Sequence, residues 1–196
     1  MGCVSAIAGN IKLDCANPLE NGYTGRAVLI PLDSATPTYT VDANNPRIIS
    51  AITLASGDKV VEIDNVAPAP FDGSSTTGNN DAGFVKYTKA LAIRMPQRGA
   101  DFAKNVVEPL TESARGFVAI VEKVDQNGDG SFEVIGYKNP MKVVDPSTVT
   151  RSETANGGAW LATLQTAEKF AECVLFDTDY ATTLAKFEAL LAQAFS

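Results

Sequence analysis

A mainly β fold, a sandwich or barrel-like sheet with one or two flanking α-helices, is what this 196-residue chain predicts. Short runs rich in Val, Ile, Thr and aromatic residues recur along it. Several of them alternate apolar and polar side chains with period two. Turn residues separate the runs at spacings of about 10 to 20 residues, as in sandwiches and barrels. The length suits one domain over residues 1–196, and an apolar content of 45% is ordinary for a globular chain.

"GRAVLIPL" (25 to 32) is a short apolar run ended by Pro31. "RIISAITLA" (47 to 55) and "DKVVEIDNV" (58 to 66) are β-branched, and the second alternates. Between 67 and 83 lies "APAPFDGSSTTGNNDAG", whose Pro, Gly, Ser, Thr and Asn cannot build a core. It is expected to be a flexible arm of a long hairpin rather than a linker between domains, since structureless loops of that length are often functional. "GFVKYTKALAIRM" (83 to 95) alternates, with Val85, Tyr87, Lys89 and Leu91 on one side and Phe84, Lys86, Thr88 and Ala90 on the other. "RGFVAIVEKV", "SFEVIGYKN", "AWLATLQTA" and "ECVLFDT" complete the strands. Trp160, the only Trp, is expected to anchor the core.

Two segments read as helices. Residues 99 to 116 begin with Asp101 as a candidate N-cap, show Phe102, Val106 and Leu110 on one face, and meet a late Pro109 that should end or bend the helix. Residues 177 to 196 carry Asp177 or Asp179 as cap and an apolar stripe of Tyr180, Leu184, Phe187, Leu191 and Phe195.

The chain has 16 basic and 23 acidic residues, a net charge of −7, which argues against nucleic-acid binding through bulk electrostatics. Residues 84 to 98 reverse the balance, with Lys86, Lys89, Arg94 and Arg98 and no acid. Such a strip suits contact with an acidic surface, including another copy of the chain; the plainer reading is a solvated strand face. No His is present, which removes the commonest general base and transition-metal ligand. Cys3, Cys15 and Cys173 show no C-x-x-C spacing, and an odd count fits reduced, cytosolic synthesis. The first residues, MGCVSAIAGN, do not resemble a secretion signal, and Ala6 departs from the myristoylation pattern. No nucleophile–base arrangement, P-loop or dinucleotide fingerprint occurs, so neither an enzyme nor a cofactor is expected.

"KVDQNGDGSFEVIGYK" (123 to 138) opens like a calcium loop, with Asp125, Asn127, Asp129 and Gly130 at suitable offsets. The twelfth position, which needs a bidentate carboxylate, is Gly136, while Glu133 falls at the ninth, and the flanks are β-rich rather than helical. A structural hairpin turn is therefore expected, with a weak calcium site as the alternative.

The strand, the D/N/G turn, "SFEVIGYKNP" and then "NGGAWLATLQTAE" together resemble the tail tube proteins of long-tailed bacteriophages, in particular divergent gut-phage members. The resemblance spans mainly residues 115 to 176. It implies a β-sandwich flanked by a helix, homohexameric rings stacked into a hollow virion tube that passes DNA, and synthesis in the host bacterial cytoplasm. Partners would be the chain itself and other virion proteins, with DNA only as passing cargo and no membrane. It also implies an assembly arm, here Asp72, Gly73, Ser74, Gly78, Asn79, Asn80, Asp81 and Gly83, with Lys86, Lys89, Arg94 and Arg98 meeting acids of a neighbouring subunit. The C-terminal helix departs from relatives whose main helix lies mid-chain, so either helix here can be the flanking one. Other readings are a head–tail connector, a capsid decoration protein, or a calcium-binding adhesion module.

Overall fold

A computed structural model describes residues 22–64, 71–81, 84–124, 126, 128–151, 153 and 157–195. It is mainly β, with two sheets and flanking helices, as the residue pattern predicts. The larger sheet has seven strands in the order β2 (Thr38–Val41), β3 (Ile48–Thr53), β12 (Val174–Leu175), β8 (Phe132–Ile135), β7 (Phe117–Lys123), β1 (Tyr23–Pro31) and β4 (Val61–Asp64). Only the β12–β3 pairing is parallel. The smaller sheet runs β10 (Thr150–Arg151), β11 (Trp160–Glu168), β6 (Phe84–Met95) and β5 (Phe71–Asp81), with β9 (Lys142–Val143) also paired to β11.

The apolar runs of β1 and β7 follow from their place in the larger sheet, because both of its faces are covered. One face, with Val28, Ile30, Val118, Ile120, Phe132 and Val134, packs under the C-terminal helix α3 (Tyr180–Leu191) through Phe187 and Leu190. The other face, with Ala27, Leu29, Ala119, Val121 and Ile135, packs against Leu91, Ile93, Ala162 and Leu164 of the smaller sheet. Phe132 lies at the centre of the first core, its ring 5.0 Å from that of Phe187 and stacked 5.7 Å from Tyr180. Trp160 packs at the margin of the second core, with the Arg151 guanidinium over its ring.

A short helical stretch closes one side of the second core: α1 (Ala100–Phe102), a π turn (Ala103–Val107) and α2 (Glu108–Glu112), with Val107 and Leu110 buried. Its start differs from expectation. Gly99 occupies the N-cap with no side-chain hydrogen bond, and Asp101 lies in the first turn, where the helix dipole favours an acid. Pro109 has no N–H for the preceding turn, and the wide π turn falls immediately before its segment. At α3 the cap is Asp179, whose carboxylate accepts from the Thr182 N–H at 2.7 Å. The predicted stripe holds through Leu191 but not to Phe195, whose side chain is 60% exposed. Beyond Leu191 the helix stops, and the Phe195 N–H is spent on the Val60 carbonyl, so helical phase no longer aims its ring inward.

The start of β7 is held by a two-way backbone bridge, Phe117 to Met141, with both N–H···O distances 2.8 Å. Gly116 (φ +84°) and Gly136 (φ +88°) flank it. A Cβ at Gly116 would lie 2.5 Å from the Met141 oxygen, and one at Gly136 would lie 2.6 Å from the Phe117 oxygen. Neither position admits a side chain without moving backbone.

Candidate assembly edge and buried ionic cluster

The polar stretch after residue 67 is not a structureless arm over its described part. Asp72, Gly73, Ser74, Gly78, Asn79, Asn80 and Asp81 all lie in β5, while Gly83 and residues 67 to 70 lie outside the described residues. β5 pairs with β6 from Phe71↔Ile93 to Asp81↔Phe84, which makes the expected long hairpin. Backbone pairing explains the strand where composition did not, because β6 supplies a ladder that needs no apolar side chain. The side chains from Ser75 to Asn80 are exposed, and Asn79 donates across the pair to Thr88 Oγ1 at 2.9 Å. The opposite edge of β6 is taken by β11, from Trp160↔Met95 to Glu168↔Tyr87. Among the described residues, β5 is therefore the last strand of its sheet.

The four basic residues of the expected strip do not share one face. Strand alternation sets Lys86 and Arg94 on the outer face of β6 and Lys89 on the inner face with Leu91 and Ile93. Arg98 lies past the strand, donates to the Gly157 carbonyl at 2.6 Å and sits 3.4 Å from Glu153 of its own chain. The signal that could have set Lys89 apart is its alternation in phase with Leu91, but its neighbours in sequence group it with the strip. Its partners gave no such signal, since they come from two other strands.

Those partners form a line of alternating basic and acidic side chains. Lys89 Nζ is 3.3 Å from Glu133 Oε1 on β8 and 3.5 Å from Glu168 Oε2 at the end of β11. The other Glu133 oxygen is 3.4 Å from Lys123 Nζ, and Lys123 lies 2.6 Å from Glu172. The Lys89 and Glu168 side chains are each 1% exposed. Burial pushes the Glu168 carboxyl up, against the pull of Lys89 and of the Lys138 N–H on its Oε1. Lys123 is held above the ordinary lysine value: burial opposes its charge, but the hydrogen bond to Glu172 and the Glu133 charge outweigh it. Removing one member would strand a buried charge, which costs more than the pair itself contributes.

A second buried acid, Glu122, accepts from Thr24 Oγ1 at 2.8 Å and from the Tyr180 hydroxyl at 2.9 Å, with Arg26 3.6 Å away. Burial, with Glu122 as hydrogen-bond partner, raises the Tyr180 hydroxyl to about 12. Arg26 reaches on to Glu188 of α3 at 2.5 Å. This network pins the helix to the sheet.

The 123 to 138 stretch is a β7–β8 hairpin closed by a 3-10 turn, Gly128–Ser131. Asp125 and Asn127 lie outside the described residues. Glu133 points to Lys89 and Lys123, so it does not serve as a ninth loop ligand. Among the described residues no group of three His, Cys, Asp or Glu side chains could hold a metal ion. Asp177 and Asp179 are helix-start residues: Asp179 caps, and Asp177 pairs with Lys186 at 2.5 Å. Cys173 is buried, and burial raises its thiol to about 11; Cys3 and Cys15 lie outside the described residues.

An open groove of about 410 Å³ lies on the outer face of the smaller sheet, with Thr88, Asn139, Lys142 and Gln165 among its lining residues. Lys142 is its one ionisable group, and its Nζ is donated to the Ala114 carbonyl. No helix among the described residues is long and apolar enough to cross a membrane. Comparison with family models, with curated proteins and with solved structures finds no match to this chain.

Proposed function

We propose that this chain is a structural virion subunit that associates with copies of itself, edge to edge, into rings that stack as a phage tail tube. The observation that carries the reading is β5. It is an eleven-residue edge strand, about 35 Å long at the usual rise per residue, and contains neither Lys nor Pro. Edge strands are normally shortened or charged to prevent pairing, and the edge strands β2 and β4 of the larger sheet have four residues each. Strand direction adds to it. β10, β11, β6 and β5 reverse at every step, so β10 runs opposite to β5. A rotated copy set with its β9–β10 side against β5 continues the antiparallel ladder without a parallel seam. The net charge of −7 suits a lumen through which DNA slides without sticking.

Proline scanning of the edge tests this. Neighbouring residues of an antiparallel strand point their N–H groups to opposite sides, so of Ser75→Pro and Thr76→Pro one strikes the β6 ladder and the other strikes only the open edge. The second variant should remain as stable as the parent and fail to form rings or tubes by negative-stain microscopy at high concentration. Tubes formed by both variants, or a parent that stays monomeric, would end the proposal. Rings that never stack would favour a connector instead.

A further inference from the structure

We propose that Lys89 and Glu168 join in an intramolecular amide, formed by the folded chain without an external reagent, with Glu133 as the proton carrier. The two residues are diagonal neighbours on the inner face of the smaller sheet, since Lys89 stands opposite Thr166 and Glu168 follows two positions later. Their side chains are 1% exposed, and the nitrogen lies 3.5 Å from Glu168 Oε2. Cδ, the atom to be attacked, is bonded to that oxygen, so the amine and the carboxyl carbon share one buried site, where fixed positioning replaces a bimolecular encounter.

The two glutamates are not equivalent. Glu133 lies between two lysine nitrogens, 3.3 Å from that of Lys89 and 3.4 Å from that of Lys123. Glu168 Oε2 faces the Lys89 nitrogen at 3.5 Å, while its Oε1 accepts from the Lys138 N–H at 3.3 Å. Charge also separates them. Lys89 and Lys123 are matched by Glu133 and Glu172, so Glu168, at the most buried end, is the surplus acid and carries the proton.

The step then balances. The Lys89 ammonium passes one proton to Glu133. The free amine attacks Cδ of the protonated Glu168, and charge develops on Oε1, facing the Lys138 N–H. Glu133 gives its proton to the departing Oε2 hydroxyl and takes the extra proton from nitrogen. The C–Oε2 bond breaks, one water leaves, and an Nζ–Cδ amide remains. Glu133 is left with a single proton, which it releases to solvent past Lys123. Nothing is oxidised or reduced. The product ties β6 to β11 covalently in the sheet whose outer strand is β5.

Intact-mass spectrometry of the full-length protein, purified folded and then denatured, reads the result directly. The expected mass is one water, about 18 Da, below the sequence sum, with a branched tryptic peptide joining Lys89 to Glu168. Lys89→Met and Glu133→Gln should both restore the full mass. The parent reading does not depend on whether either variant folds. A parent at its full sequence mass after prolonged incubation overturns the proposal, and so does a water loss that maps to any other pair. Because mass is read on the denatured monomer, the outcome is independent of whether the protein forms tubes.

Discussion

β7 and β5 are both strands, yet they exist for opposite reasons. In β7, Phe117 to Glu122 are all buried, and the strand lies between two cores that would form it in almost any register-compatible sheet. β5 exposes its described side chains and, among the described residues, is held by its pairing to β6. Burial makes the first strand; a neighbour's ladder makes the second. Stability should therefore concentrate in the first and availability for partners in the second.

Substitution can break that contrast, and the largest effect is expected in the core. Ile120→Ala should cost about 2–5 kcal/mol, while Thr76→Ala should stay within about 0.5 kcal/mol, both from denaturant midpoints. Comparable losses at the two sites would mean that β5 is buried in some way that side-chain exposure does not reveal. Next comes the proline pair. One of Ser75→Pro and Thr76→Pro should lower the unfolding midpoint through a lost ladder bond, and the other should change only assembly.

A pH titration of unfolding separates surface acids from the core. The Asp33 carboxyl is held low by the Ser113 hydroxyl and the Arg115 N–H, Asp177 by Lys186, and Asp179 by the Thr182 N–H. Each has a folded pKa below its unfolded value near 3.9, so the stability it contributes is present above about pH 4. That contribution is lost as pH falls through the folded values. Asp179→Ala should flatten part of this acid limb, and an unchanged limb would show that the cap is not titrating there. The smallest effect belongs to Phe195→Ser, expected within about 0.5 kcal/mol of the parent despite loss of an aromatic ring.

How much could be read from the residues follows the same division. β1, β7 and β11 announce themselves, because burial selects the β-branched and apolar side chains that mark them. β5 was hidden, since "FDGSSTTGNND" carries no burial pattern and its partner is a matter of register. Asp179 followed from local capping rules, whereas Asp101 failed because Gly99 took the cap position. In the ionic cluster, Lys89 was grouped with the basic strip, although it alternates in phase with Leu91. Glu133 and Glu168 were not legible as its partners, because only the packing of one sheet on the other brings a residue of β8 to one of β11. The basic residues divide between faces for a related reason: neighbours in sequence along β6 face opposite sides of the sheet.

The glycine pair around the Phe117–Met141 bridge has a use outside the molecule. Surface and even core side chains can drift among distant homologues, but a Cβ at Gly116 or Gly136 would collide with carbonyl oxygens that any residue type would carry. Gly-Phe at 116–117, followed by Gly136 and a bridging residue at 141, is thus a backbone-imposed fingerprint. Searching by that spacing, rather than by overall likeness, should recover kin whose sequences otherwise look unrelated.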